Sequence, residues 1–258
     1  MLKSLEGYIE PGSEAERLVR EIDFHRLPRH IAVIMDGNGR WAGRHGKSRI
    51  EGHRAGSHAV RETVECCGRL GIEVLSLFAF STENWKRPRR EVQRLWGLLR
   101  DYLKKEDGVL VDNDLKLVVI GRRDGLPRPV LNELDRVETL TRNNRRMTVA
   151  LALNYGSRTE IIDAVRRILI EAPAAADLDE AAFSGYLYTA GLPDPDLLIR
   201  TSGECRVSNF LLWQIAYAEM WITPVLWPDF RKNHLLQAVL DYQKRERRFG
   251  DIRPAESP

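Results

Sequence analysis

The chain has 258 residues, with 40 Lys and Arg against 37 Asp and Glu, a formal net charge of +3, and 43% hydrophobic residues. That length and apolar content suit one α/β domain with a real core, and the near-even charge argues against a nucleic-acid partner, which calls for a strongly basic face. The three cysteines, Cys66, Cys67 and Cys205, include an adjacent pair and no Cys-x-x-Cys, which excludes a disulfide framework and zinc-ligand spacing and points to a reducing, cytoplasmic setting.

In chain order, residues 1–27 read as an amphipathic lead-in without a charged-then-apolar leader pattern. The run Ile31–Met35 is short and β-branched, as a strand covered on both faces should be. Val60, Val64, Cys67 and Leu70 form a helical stripe stopped by Gly71. Val74–Phe80 is a second strand, and Val92, Leu95, Trp96, Leu99, Tyr102 and Leu103 follow helical spacing after Pro88. That stripe either packs as core or lines an apolar tunnel. Further strands are expected at Leu115–Ile120, Thr148–Leu153 and Leu197–Arg200, with a helix carrying Ile161, Ile162, Val165, Ile168 and Leu169 between the last two. The Ala/Pro segment Ala172–Asp179 is a surface loop rather than a domain boundary. The most apolar stretch, Asn209–Trp227, contains Gln214, Glu219 and Pro224, so it is read as core, not as a membrane span. Strand–helix alternation implies an α/β fold, a single domain with a central, mostly parallel β-sheet flanked by helices. The domain proper is expected over residues 28–250, with 251–258 as a tail.

Three clusters carry the chemistry. Asp36 sits at the carboxyl end of the first strand, where open α/β sheets bind ligands. Gly37-Asn38-Gly39 follows as a tight turn that presents backbone N–H groups, and Arg40 supplies a planar fork for phosphate oxygens. A carboxylate beside phosphate-binding groups repels its ligand unless a divalent cation bridges them, so the cluster reads as a Mg²⁺–diphosphate site. Arg49 and His53 add phosphate contacts or proton transfer. The second cluster, Ser81-Thr82-Glu83-Asn84-Trp85-Lys86-Arg87, leaves the second strand; it is either a helix cap or a substrate lid. The third, from Asp194 to Phe210, places Arg200, Arg206 and Ser208 around a glycine turn, either as a second anion site or with each arginine paired to a nearby acid. Glu219 in its apolar surroundings needs a partner, an arginine or a metal. Two anion sites, a metal-type carboxylate pair and apolar walls imply two phosphate-bearing substrates, at least one with a hydrocarbon tail.

These stretches (His30–Ala42, Gly52–Gly56, Gly71–Arg87, Asn154–Gly156, Pro193–Glu204, Arg206–Glu219, Leu226–Phe230 and Arg245–Gly250) together resemble the cis-prenyltransferases, above all the bacterial undecaprenyl diphosphate synthase type. The resemblance implies a homodimer with a deep hydrophobic cleft. It implies Mg²⁺-dependent condensation of isopentenyl diphosphate onto an allylic diphosphate, with cis geometry and at most peripheral membrane contact. By the same resemblance Asp36 works with Mg²⁺, and Glu219 is the second metal-side carboxylate. Gly37, Asn38, Gly39, Arg40, Trp41 and Arg49 hold the allylic diphosphate. Arg200, Arg206, Val207 and Ser208 hold isopentenyl diphosphate. Ser81, Thr82, Glu83, Asn84, Trp85 and Arg87 form a closing loop, with Asn84, Ser81 and His53 linked to proton removal. Arg248-Phe249-Gly250 matches a motif expected to complete the partner subunit's site. The small Ala79 favours a long product and the bulky Trp96 a shorter one; a medium-to-long product, undecaprenyl or decaprenyl in class, is the expectation. Two rivals remain. An aspartate-nucleophile phosphatase wants a second Asp where Asn38 stands, and a non-catalytic partner subunit should lack Asp36, Asn84 and Glu219.

Overall fold

The computed structural model describes residues 3–171 and 177–245. Its strands are β1 (His30–Ile34), β2 (Val74–Ser81), β3 (Leu115–Ile120), β4 (Met147–Tyr155), β5 (Leu197–Arg200) and β6 (Glu219–Ile222). They form one sheet in the order β3-β4-β2-β1-β5-β6, and every neighbouring pair is parallel. The helices are α1 (Glu14–Glu21), α2 (Asn38–Arg44), α3 (Arg49–Leu70), α4 (Arg89–Asp112), α5 (Arg128–Thr141), α6 (Ser157–Glu171), α7 (Glu180–Ser184) and α8 (Lys232–Gln243). An α/β fold with a parallel sheet and flanking helices is therefore what the alternation predicted.

Strand alternation divides the interior in two. Ile31 and Val33 of β1, Leu75 and Leu77 of β2 and Leu197 and Ile199 of β5 face a large core shared with α1, α3, α4, α5 and α8. Leu5, Ile9, Leu18 and Ile22 from the amino-terminal segment are buried in that same core. Ala32, Ile34, Ala150, Ala152 and Leu198 face a smaller core, where small strand residues leave room for Tyr155, Phe210 and Leu211. Phe78 stacks on Phe210 there, with ring centroids 4.4 Å apart.

Three differences from the sequence reading have physical causes. The expected turn after Asp36 is Gly37 alone; α2 begins at Asn38 despite carrying two glycines. β6 was hidden inside the stretch read only as core, because its four residues show no burial alternation. The stripe on α6 is helical, but Ile162, Val165 and Leu169 are exposed, Leu169 at 74%. Periodicity located that helix without identifying what covers its apolar face.

Candidate active site

Open parallel sheets bind ligands beyond the carboxyl ends of their strands, and β1, β2 and β5 deliver their clusters to that edge. Gly37 turns the chain there with φ of 107°, and a side chain at this position would crowd Leu226 at 3.0 Å. Two glycines of α3 let that helix lie directly on the start of α2: a Cβ at Gly52 would fall 2.1 Å from the Asn38 carbonyl oxygen, and one at Gly56 2.4 Å from Asn38 Oδ1. These approaches fix the entry of α2, which begins two residues after Asp36.

Asp36 is held on all sides. Its Oδ2 accepts from Arg200 Nη2 at 2.9 Å and from Arg40 Nη2 at 3.3 Å, and its Oδ1 accepts from the Gly37 N–H at 2.7 Å. Thr201 Oγ1 accepts from the Asp36 N–H at 2.9 Å and donates to its carbonyl at 2.6 Å. Burial works to raise the Asp36 pKa, but hydrogen bonds from Arg200, Ser202 and Gly37 outweigh it and hold the carboxyl below its ordinary value. Arg200 is buried at 2% exposure, donates to Ser208 Oγ at 2.8 Å and to the Arg206 carbonyl, and keeps its Nε without a partner among the described residues. Arg40 also donates to the Ser202 carbonyl at 3.0 Å and meets Glu204 at 3.3 Å. Arg206 is exposed and paired with Glu204, as the ion-pair alternative expects, whereas Arg200 is buried and pairs with Asp36 rather than with Asp194, Asp196 or Glu204 on the surface. Val207 packs toward the smaller core.

Arg49 and Arg87 share Glu91, each at 3.2 Å, and Gly39 lies against the Arg49 guanidinium. His53 is half-buried beside them. Burial, then the neighbouring Arg87 and Arg49, push its pKa down to about 4, so its ring is neutral at neutral pH. The Ser81–Arg87 segment is not an open loop: Thr82–Lys86 is a short 3₁₀ helix, capped by Ser81 with Asn84 Oδ1 accepting from the Ser81 N–H at 3.1 Å. A cap is present, with Asn84 rather than Glu83 as the reciprocal partner, but it closes the segment's own 3₁₀ turn and not α4, whose N-cap is Pro88. Glu83 accepts from Asn209 at 3.0 Å, and Thr82 donates to Glu83. Trp85 donates to Asn154 Oδ1 at 2.7 Å and sits edge-on to Phe80. Trp41 turns away to Asp229 and stacks on His45.

A cavity of about 250 Å³ opens beside this edge. Asn38, His53, Asn84 and Arg87 stand among its lining residues, together with apolar walls from β2, β4 and α4. Ala79 lies at the bulge of β2 where pairing with β4 slips, and Trp96, 3% exposed, lines the wall against Phe80 at 4.3 Å.

One expected partner does not arrive. Glu219 opens β6 in register with Leu197 and hence with Ile31, at the amino end of the sheet. Asp36 lies five residues farther along, about 16 Å in strand length. Within one chain Glu219 meets an arginine, Arg245 Nη1 at 2.7 Å, not the Asp36 site; pairing by type and spacing could not foresee the parallel register that separates them. Among the described residues no three His, Cys, Asp or Glu cluster as metal ligands. Magnesium rarely needs such a cluster: one carboxylate plus phosphate oxygens and water is its usual shell, and Asp36 beside Arg40 and Arg200 fits that donor set. Arg248-Phe249-Gly250 lies outside the described residues. Residues the sequence reading left without a role include Thr201 and Ser202, which brace Asp36 and Arg40; their only signal was the small-residue turn after β5.

A family model described as putative undecaprenyl diphosphate synthase matches residues 34–250. An isoprenyl transferase of Heliobacterium mobile is 49% identical over 96% of both chains. Another, from Chlorobaculum tepidum, is 52% identical over 87% of this chain and 86% of its own. Among solved structures, a lavandulyl diphosphate synthase from Lavandula x intermedia, in complex with dimethylallyl diphosphate, superposes with a TM-score of 0.85 at 35% identity, covering 88% of this chain and all of that one. A probable undecaprenyl diphosphate synthase from Campylobacter jejuni gives a TM-score of 0.74 at 34% identity over 87% and 99% of the two chains. With a relative near half-identical over almost its whole length and the carboxyl-end architecture described above, this chain belongs to the undecaprenyl diphosphate synthase family and is a prenyltransferase.

Proposed function

We propose that the chain condenses isopentenyl diphosphate with an allylic diphosphate, geranyl or farnesyl, to give a medium-to-long cis-polyprenyl diphosphate. The observation that carries this reading is Asp36 between Arg40 and Arg200, beside an apolar-walled cavity. Phosphates at one end and hydrocarbon at the other are what such a site accommodates.

In this reading the helix start at Gly37–Gly39, with Arg40 and Arg49, holds the allylic diphosphate, and Arg200, Arg206 and Ser208 hold isopentenyl diphosphate. Asp36 would hold Mg²⁺ together with the substrate phosphates. When bound there, Mg²⁺ supplies charge stabilisation to the departing pyrophosphate. The allylic C–O bond breaks, the isopentenyl double bond attacks the allylic carbon, and a proton leaves the new unit. The arginine forks meet the charge that grows on the leaving oxygens. Ser81, Asn84 and neutral His53 form the proton-accepting side of the cavity, and Trp85 with the 3₁₀ segment excludes water from the cation. The growing chain runs along α4.

A homodimer belongs to this reading, supported by the exposed apolar face of α6 and by exposed Tyr217 and Met220 around the edge strand β6. Glu219 then serves at the subunit boundary, with Arg248–Gly250, rather than beside its own Asp36. No helix among the described residues is long and apolar enough to cross a membrane, consistent with at most peripheral contact and a cytoplasmic setting.

The test is incorporation of labelled isopentenyl diphosphate with Mg²⁺, offering geranyl and farnesyl diphosphates and resolving products by length. A long ladder is expected. A single short product would move the length assignment to Trp96 as a tunnel floor, and no incorporation by folded protein would reject the reading.

A further inference from the structure

The second and third clusters touch through one side chain to which the proposed reaction assigns nothing. We infer that Asn209 is a positioning residue that couples the Arg200–Ser208 anion site to the Ser81–Arg87 segment through its amide contact with Glu83. The inference rests on the condensation reading above and deepens it.

Asn209 is oriented without ambiguity. Its backbone lies in the left-handed region, φ 63°, which asparagine tolerates better than most residues. Its carbonyl accepts from the Ser157 N–H at 2.8 Å, and its Oδ1 accepts from the Arg158 N–H at 2.9 Å. Both tie it to the start of α6. With Oδ1 committed to a backbone donor, the amide can offer only its NH₂ group to the other side, and Nδ2 donates to Glu83 Oε1 at 3.0 Å. The contact lies against Gly156, where a side chain has no room: a Cβ there would fall 2.6 Å from Thr82 Oγ1 and 2.7 Å from Asn209 Nδ2. Burial works to raise the Glu83 pKa, but the Asn209 bond leads the contacts that hold it below the ordinary range, so a carboxylate faces the amide.

The residue before Asn209 is Ser208, which takes a hydrogen bond from buried Arg200, which in turn grips Asp36. The residue after Glu83 is Asn84, which caps Ser81. A continuous set of contacts thus runs from the metal-side carboxylate through the isopentenyl diphosphate site to the segment that closes the cavity. Anion binding at Arg200 and Ser208 fixes the backbone that carries Asn209, and Asn209 fixes Glu83. The position asks for an acceptor toward α6, a donor toward Glu83 and tolerance of positive φ. Asparagine meets all three; aspartate meets only the first and last.

The test is the pair Asn209→Asp and Glu83→Gln, singly and together. N209D keeps the tie to α6 and the backbone preference, so it should fold, but it sets a carboxylate against Glu83. It is expected to lower kcat/KM for isopentenyl diphosphate about tenfold or more, with KM for the allylic diphosphate nearly unmoved. In the E83Q background the introduced amide donates to the introduced carboxylate, so N209D should cost no more than about threefold. Equal costs in the two backgrounds, or none in the first, would overturn the coupling. A second readout is independent of turnover. Amide exchange across 81–87 should slow when isopentenyl diphosphate is added to the wild type and not to N209D, and unchanged protection in N209D would overturn the coupling as well. A wild type that shows this protection but transfers no prenyl group would reject the reaction reading and leave the coupling standing.

Discussion

The two ends of the parallel sheet use the same residue types for opposite purposes. At the amino end, charges close on one another. Arg29 grips Glu73 through two bonds of 2.9 Å, Asp196 accepts from the Arg29 and His30 backbones, and Arg245 holds Glu219. His30 is fully buried between the Pro193 carbonyl at 2.7 Å and Ser76 Oγ at 2.8 Å. At the carboxyl end the arginines are only partly satisfied: Arg200 keeps a buried Nε without a partner among the described residues, and Arg49 and Arg87 share one glutamate. The backbone there enters the left-handed region at Gly37, Ser202, Ser208 and Asn209. Closed pairs leave little for a ligand; donors left over beside a cavity are what the proposed diphosphate site would use. The difference lies in what each group has left to give, not in composition.

The sharpest way to break this contrast is to ask whether Glu219 crosses from one end to the other by assembly. If it acts at a partner's site, Asp36→Ala and Glu219→Ala are each severely impaired, yet mixed dimers contain one complete site. Refolding the two variants together should then restore turnover that neither has alone. Absence of restoration would return Glu219 to a purely structural pairing with Arg245.

A smaller effect is expected from the buried histidine of the amino end. Burial pushes the His30 pKa down to about 4, against weaker opposing pulls from the Pro193 carbonyl and Asp196. The unfolded chain therefore binds a proton that the folded one refuses between the ordinary histidine value and about 4. Stability should fall as pH drops through that window, by about 3 kcal/mol for this group. Denaturant midpoints from pH 7 to pH 4 should show the slope, and His30→Gln should remove this group's share while leaving that of His53, whose pKa is likewise pushed down to about 4. The least effect is expected from Arg29→Ala. Its exposed pair with Glu73 is far from the cavity, so turnover should match the wild type and melting should shift least of the series.

Much of this was legible in the chain. Asp36 stood out because a β-branched run ends on it and glycine follows, and five of six strands were marked by apolar runs. β6 was not, because four half-covered edge residues carry no pattern. The separation of Asp36 from Glu219 was not legible either, since strand order and parallel register are set by packing across the sheet. Gly52 and Gly56 could be noted but not explained until α2 was seen lying on α3. The apolar stripe of α6 could be read as helix while its cover stayed outside the sequence, and the Asn209–Glu83 contact joins residues whose spacing carries no periodic signal.

The most direct test of the central claim is labelled isopentenyl diphosphate incorporation by the wild type and Asp36→Ala side by side, with folding of both checked by circular dichroism. Wild-type turnover with a loss of at least about 10²-fold in the variant is the predicted result. A folded Asp36→Ala protein that keeps full turnover would contradict the assignment of chemistry to the carboxyl end of β1.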